Sequence, residues 1–218
     1  MQWGGAGAVG LLAALAALPA AAQPAPSAYD QAFVSAFEEA CVPGRLGYET
    51  SRQAARDAGW TLSAADAHPE LAAVMAVGEA AARDPELEAT FAHTIYAKTI
   101  AGLPHFLVVS TTSAVISDPE DPWVQTGCYL YNFDATAPLD PAPVTALIGN
   151  PISATREGEG ALSVIWGPPC PMPMTGDTYL SYIAEGSPLV AQVPMTGIAL
   201  NFTTTALAEG EPVPEPYC

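Results

Sequence analysis

The 218-residue chain carries 23 acidic side chains against 6 basic ones, a formal net charge of −17. That charge repels phosphate backbones and anionic bilayers, which argues against nucleic acid and anionic membrane surfaces as partners. Such a charge also keeps a protein surface solvated and dispersed.

From the amino terminus, residues 4–22 contain no charged side chain, and Leu11, Leu12, Leu15 and Leu18 sit in an alanine-rich run. Ala20-Ala21-Ala22 fits a small-x-small cleavage site, with Gln23-Pro24 as the new start. The pattern predicts a signal peptide over residues 1–22, although no Lys or Arg precedes the apolar run. The competing reading, a membrane anchor, needs ~20 apolar residues richer than this in large side chains. No later segment is long enough to span a bilayer, so no membrane span is expected after cleavage. Residues 23–218 are long enough for one domain with a substantial core.

Within that domain the first expected helix starts near Ser27, whose hydroxyl can cap it, and Tyr29, Phe33, Phe37 and Ala40 or Cys41 recur at helical spacing. Val42-Pro43-Gly44 ends it. A second helix is predicted over 48–58, closed by Gly59 in the left-handed conformation, with Trp60 returning to the core. A third starts at Pro69, with Leu71, Val74, Met75 and Gly78 as its buried stripe and Asp84-Pro85 as its breaker. Strands are then predicted over 91–100 and 106–116, joined at Ala101-Gly102 by a tight turn. That turn sets Lys98 opposite His105 and His93 opposite Ser110. Further strands are expected over 124–133, 152–155, 161–166, 178–183 and 198–205. Residues 144–148 read as a short helix or strand, and residues 156–160 as a hairpin loop. Helices first and strands later, without alternation, predict an α+β fold with N-terminal helices packed on an antiparallel sheet. Residues 209–218 form a Pro/Glu-rich tail with little reason to order by itself.

Four cysteines, Cys41, Cys128, Cys170 and Cys218, all follow the leader. In an oxidising compartment an even count predicts two disulfides with three possible connectivities. Cys41 with Cys128 and Cys170 with Cys218 is the expected pairing, the second tethering the tail.

Chemistry-bearing residues are sparse. Cys170, Met172 and Met174 alternate and, in an extended segment, would put three soft sulfurs on one side, a donor set for copper in the Cu(I) state. It requires a free thiol at Cys170. His93 and Ser110 form the one Ser/His juxtaposition, a hydrolase reading without an acidic third member. His68 stands at a helix start and His105 faces Lys98, so the three histidines do not converge on a metal. The loop over 117–122 gathers three carboxylates without the spacing of a calcium loop. Asn201-Phe202-Thr203 is a formal glycosylation sequon. Pro173-Met174-Thr175-Gly176 recurs as Pro194-Met195-Thr196-Gly197, which reads as two similar turns entering strands. There is no nucleophile elbow, phosphate-binding glycine loop or zinc motif.

Three features carry a resemblance. Cys41 closes the first helix, Gly59-Trp60 closes the second, and Cys128 precedes Phe133-Asp134 on a strand. In these the chain resembles small exported proteins of uncharacterised function from Gram-negative bacteria, which implies a periplasmic or secreted setting and brings no activity with it. The expected role is non-enzymatic, with a protein or small-molecule partner bound on one face of the sheet. Tyr129, Tyr131 and Phe133 share one parity there. The same parity also suits the core face under the helices, with the face of Cys128 and Leu130 the less apolar one.

Overall fold

The computed structural model describes residues 26–83, 89–116, 122–208 and 210–216. The signal-peptide expectation, the Asp84-Pro85 break, most of the acidic loop over 117–122 and Cys218 fall outside the described residues.

The fold is α+β. Helices α1 (Ala28–Cys41), α2 (Tyr48–Asp57) and α3 (Pro69–Ala82) precede all but one short strand, β1 (Thr61–Ser63). Then follow β2 (Ala89–Ile100), β3 (Leu103–Ala114), β4 (Trp123–Asn132), helix α4 (Ala142–Ile148), β5 (Ile152–Gly158), β6 (Ala161–Trp166), β7 (Thr175–Ile183) and β8 (Gly197–Thr205). All eight strands form one antiparallel sheet in the order β1-β2-β3-β4-β8-β7-β6-β5.

Local chemistry explains the element ends. Ser27 Oγ accepts from Asp30 N at 3.1 Å, and the Asp30 carboxylate accepts from Ser27 N at 2.8 Å, a reciprocal cap on α1. After α2, Gly59 takes φ +80°, and Trp60 N donates back to Ala55 O at 3.0 Å. Trp60 is thereby returned to the core. The β2–β3 hairpin turns on Ala101 and Gly102, both left-handed, and its register sets Lys98 opposite His105 and His93 opposite Ser110, as expected. The loop expected over 156–160 is shorter than that. β5 runs on through Gly158, and the turn is the left-handed pair Glu159-Gly160. Arg156 and Glu157 pair with Ser163 and Leu162 as strand residues. The repeated Pro-Met-Thr-Gly segments do lead into two strands, β7 and β8.

Both faces of the sheet are covered, unequally. On one face Tyr96, Leu107, Leu130, Leu200, Leu180 and Val164 align across six strands. They pack with Phe33, Phe37 and Cys41 of α1, Ala55 of α2, and Val144 and Ile148 of α4. Phe37 meets Phe202 edge-on at 5.2 Å. Trp166, wholly buried, donates from Nε1 to Thr145 Oγ1 at 3.0 Å. The Cys41–Cys128 disulfide ties α1 to β4 inside this core, as expected. The opposite face carries a smaller cluster, in which Leu71 and Met75 of α3 cover Ile95, Phe106, Val108, Tyr131 and Phe133. The aromatic parity of Tyr129, Tyr131 and Phe133 therefore lies away from α1, α2 and α4. The face of Cys128 and Leu130 is the more apolar one, contrary to expectation. The reason is that the leucines of four different strands fall in one row, which the pattern of a single strand does not reveal.

Candidate functional site: a concavity on the second face of the sheet

Helix α3 lies over β2, β3 and β4, leaving β8, β7 and β6 without a helix on this face among the described residues. The row that begins with Phe106 on β3 explains what opens there. It continues through Tyr131, Ala199, Ser181 and Ser163 to Arg156 at the edge strand. After Tyr131 the side chains become small, so the floor drops. Val74 and Val77 of α3 wall one side. Leu189, in the short 3₁₀ turn Pro188–Ala191, and Val193 to Met195 wall the other. The result is a concavity of about 590 Å³, within the size range of ordinary small-ligand sites.

Its rim and floor are differently equipped. Val77 and Val193 are 53% and 46% exposed, unusual for valine, and both lie on the rim. Tyr129 and Tyr131 of the floor head an aromatic ladder that continues beyond it: Tyr129 stacks on Tyr131 at 6.4 Å, Tyr131 on Phe133 at 5.2 Å, and Phe133 on His68 at 4.6 Å. Burial pushes the Tyr131 phenol well above its ordinary range, with the neighbouring Tyr129 adding to the effect. Burial also raises Tyr129, partly offset by its hydrogen bond with Ser110. Both phenols are therefore neutral at physiological pH. Asn201, Ser181 and Ser163 add polar groups along the same floor.

The far wall is held by Glu70, in the first turn of α3. Its carboxylate accepts from Thr196 N at 2.8 Å and from Thr196 Oγ1 at 3.0 Å. Thr196 Oγ1 also lies 3.2 Å from Phe133 O. His68, at the predicted cap position, accepts from Glu70 N through Nδ1 at 3.3 Å. These contacts fix α3 and the segment before β8 as the two sides of one cleft.

The other sequence candidates separate. His93 and Ser110 do face each other in register. Yet Ser110 is buried and engaged with Tyr129, and among the described residues no hydrogen bond joins it to His93. Nor does a carboxylate bond to His93 there. Cys170, Met172 and Met174 do not form an extended ladder. Met172 N donates to Pro169 O and Thr175 N to Met172 O, so the segment is turned. Met172 is buried in the main core, Met174 has φ +68°, and Cys170 is disulfide-bonded, so no free thiol stands there. The expected Cys170–Cys218 pairing involves a residue outside those described. Asn201 of the sequon lies on a central strand with its side chain in the concavity.

His105 has a structural role instead. It is wholly buried, and its Nδ1–H donates to Leu103 O at 2.9 Å. That leaves Nε2 to accept from Tyr29 OH at 2.9 Å, while Tyr29 OH accepts from Asn132 Nδ2 at 2.5 Å. Burial lowers the His105 pKa below 6.5; its backbone bond and Asp134 oppose this. The unfolded chain therefore takes up a proton first as pH falls. Stability from this network is complete above 6.5 and drains as pH drops through that value toward the folded pKa. Urea unfolding of wild type and His105→Asn across this window is expected to show a wild-type advantage that shrinks on acidification. A constant difference would contradict it.

The concavity is not legible from the sequence. Its signal was present in the small residues Ala199, Ser181 and Ser163 at inward positions of three strands, but their adjacency depends on a strand order that places β8 between β4 and β7. Comparison of the chain with protein-family models, curated proteins and solved structures yields no match.

Proposed function

We propose that this is an exported, periplasmic or secreted binding domain that acts without catalysis and takes a small, largely apolar ligand in the concavity beside α3. The observation that carries the reading is the cleft itself, about 590 Å³ with exposed valines on its rim and neutral tyrosines on its floor. A mostly apolar cavity with a few convergent polar groups is the physical form of a small-molecule site. Export is supported by the apolar leader with its small-residue cleavage pattern and by a disulfide linking α1 to the sheet. The absence of catalysis is supported by the engagement of Ser110 with Tyr129 rather than with His93.

Filling the cleft tests the reading. Ser181 lies mid-floor on β7 and makes no hydrogen bond through its side chain among the described residues. A Ser181→Trp substitution suits a strand and projects into the cavity. Titration with a neutral, environment-sensitive naphthylamine dye is expected to give saturable binding to wild type that is lost in Ser181→Trp, while the circular dichroism spectrum is retained. Ser163→Phe provides a second blocking variant. Binding that survives both substitutions would place the site elsewhere.

A further inference from the structure

The chain has six basic residues, and five of them are engaged. Arg52 pairs with Glu49, Arg83 with Glu79, and Arg56 bonds Gln53. Lys98 donates to Ala58 O, and Arg45 to Thr175, Val42 O and Pro173 O. Arg156 alone makes no hydrogen bond or ion pair among the described residues, in a chain with 23 acids to choose from. It is also the one cation lining the concavity. Its register position, opposite Ser163 and in line with Ser181, Ala199 and Tyr131, puts it on the cleft face. The adjacent Glu157 pairs with Leu162, in line with Tyr182 and Ile198, and so belongs to the other face of the strand.

Resting on the binding reading above, we propose that the ligand is an amphiphile with a single carboxylate, its apolar body between Val74, Val77 and Met195 and its head group on Arg156. A guanidinium recognises carboxylate through parallel donors, and among the described residues no acid of the protein occupies it. Glu159, in the turn that closes β5, stands at the same end of the cleft. It disfavours a dianionic phosphate head, which would meet a like charge there, whereas one carboxylate is matched by one guanidinium. Ser163 and Ser181 add hydroxyls along the path from the head toward the apolar end.

Calorimetric titration with three probes of equal chain length, decanoate, decanol and decyltrimethylammonium, all below their micelle thresholds, tests this. Decanoate is expected to bind wild type about five-fold tighter than decanol, the size of a partly exposed charge pair. The preference should vanish in Arg156→Gln and at high salt, and decyltrimethylammonium should overtake decanoate in Arg156→Glu. Arg156 is exposed, so these variants leave the core untouched. Decanol binding that Ser181→Trp abolishes, with no preference for decanoate or with one that Arg156→Gln leaves intact, would overturn the head-group assignment while leaving the cleft as the site. If no probe binds, the binding reading fails with it.

Discussion

Replacing Cys41 and Cys128 together by alanine is expected to lower the free energy of unfolding by about 4–5 kcal/mol, the chain-entropy value for a loop of this length. The bond closes 87 residues of sequence, from the end of α1 to the middle of β4. That stretch contains α2, α3, β2 and β3, so without the bridge the unfolded ensemble gains the freedom of half the described fold. Both half-cystines are buried in the main core, Cys41 at 0% and Cys128 at 2% exposure, so truncation also leaves small voids. Urea unfolding of four samples separates the contributions: wild type and the double variant, each with and without reductant. Reduced wild type loses this tether together with the disulfide of Cys170, while its sulfurs still fill the core. The change on reducing the double variant reports the disulfide of Cys170. A double variant within about 1 kcal/mol of oxidised wild type would show that the unfolded chain is already restricted across this span.

Which parts of this molecule are legible from its sequence follows from the range of the interactions involved. The α1 cap at Ser27, the left-handed Gly59 and the turn at Ala101-Gly102 depend on a few neighbouring residues, and each stands where the local chemistry puts it. Pairing across β2 and β3 follows from the two-residue turn, down to His93 opposite Ser110. The Glu159-Gly160 turn was less visible. A non-glycine residue at φ +53° opens it, and the charged run around it reads as loop when no partner strand is assumed. The orientation of β4 was the instructive error. Tyr129, Tyr131 and Phe133 look like a core stripe by themselves, yet Cys128 and Leu130 face the larger layer because the disulfide and the leucine row bring α1 there.

The cleft required knowledge of strand order. Ala199, Ser181 and Ser163 are unremarkable small residues in their own segments and become a floor only when β8, β7 and β6 lie side by side. Arg156 becomes distinctive only once the partners of the other five basic residues are known. By contrast, the sequence candidates with the most recognisable chemistry rested on assumed local geometry. The Cys170, Met172 and Met174 ladder needed an extended segment, and the chain turns there.

Gly197→Ala is expected to cost about 4 kcal/mol, combining left-handed strain with a steric clash at the root of the cleft. Gly197 opens β8 with φ +74°, and a Cβ built there would lie 2.1 Å from Asn132 O and 2.8 Å from the Phe133 carbonyl carbon. Those atoms are backbone and cannot swing aside as a side chain can. Relief requires the start of β8 to move away from the end of β4. Such a shift carries Thr196 with it, and with Thr196 its bonds to Glu70 of α3. Gly102→Ala is the matched control. Gly102 has φ +84° but nothing within 4 Å of the added carbon, so it reports the conformational cost alone, about 1 kcal/mol. The difference between the two variants in urea unfolding isolates the contact with β4. Weakened dye binding in the folded fraction of Gly197→Ala, unchanged in Gly102→Ala, would tie that contact to the wall of the cleft. Equal costs for the two substitutions would mean that β8 yields at this point, and the wall would then have to be held by the Glu70–Thr196 bonds alone.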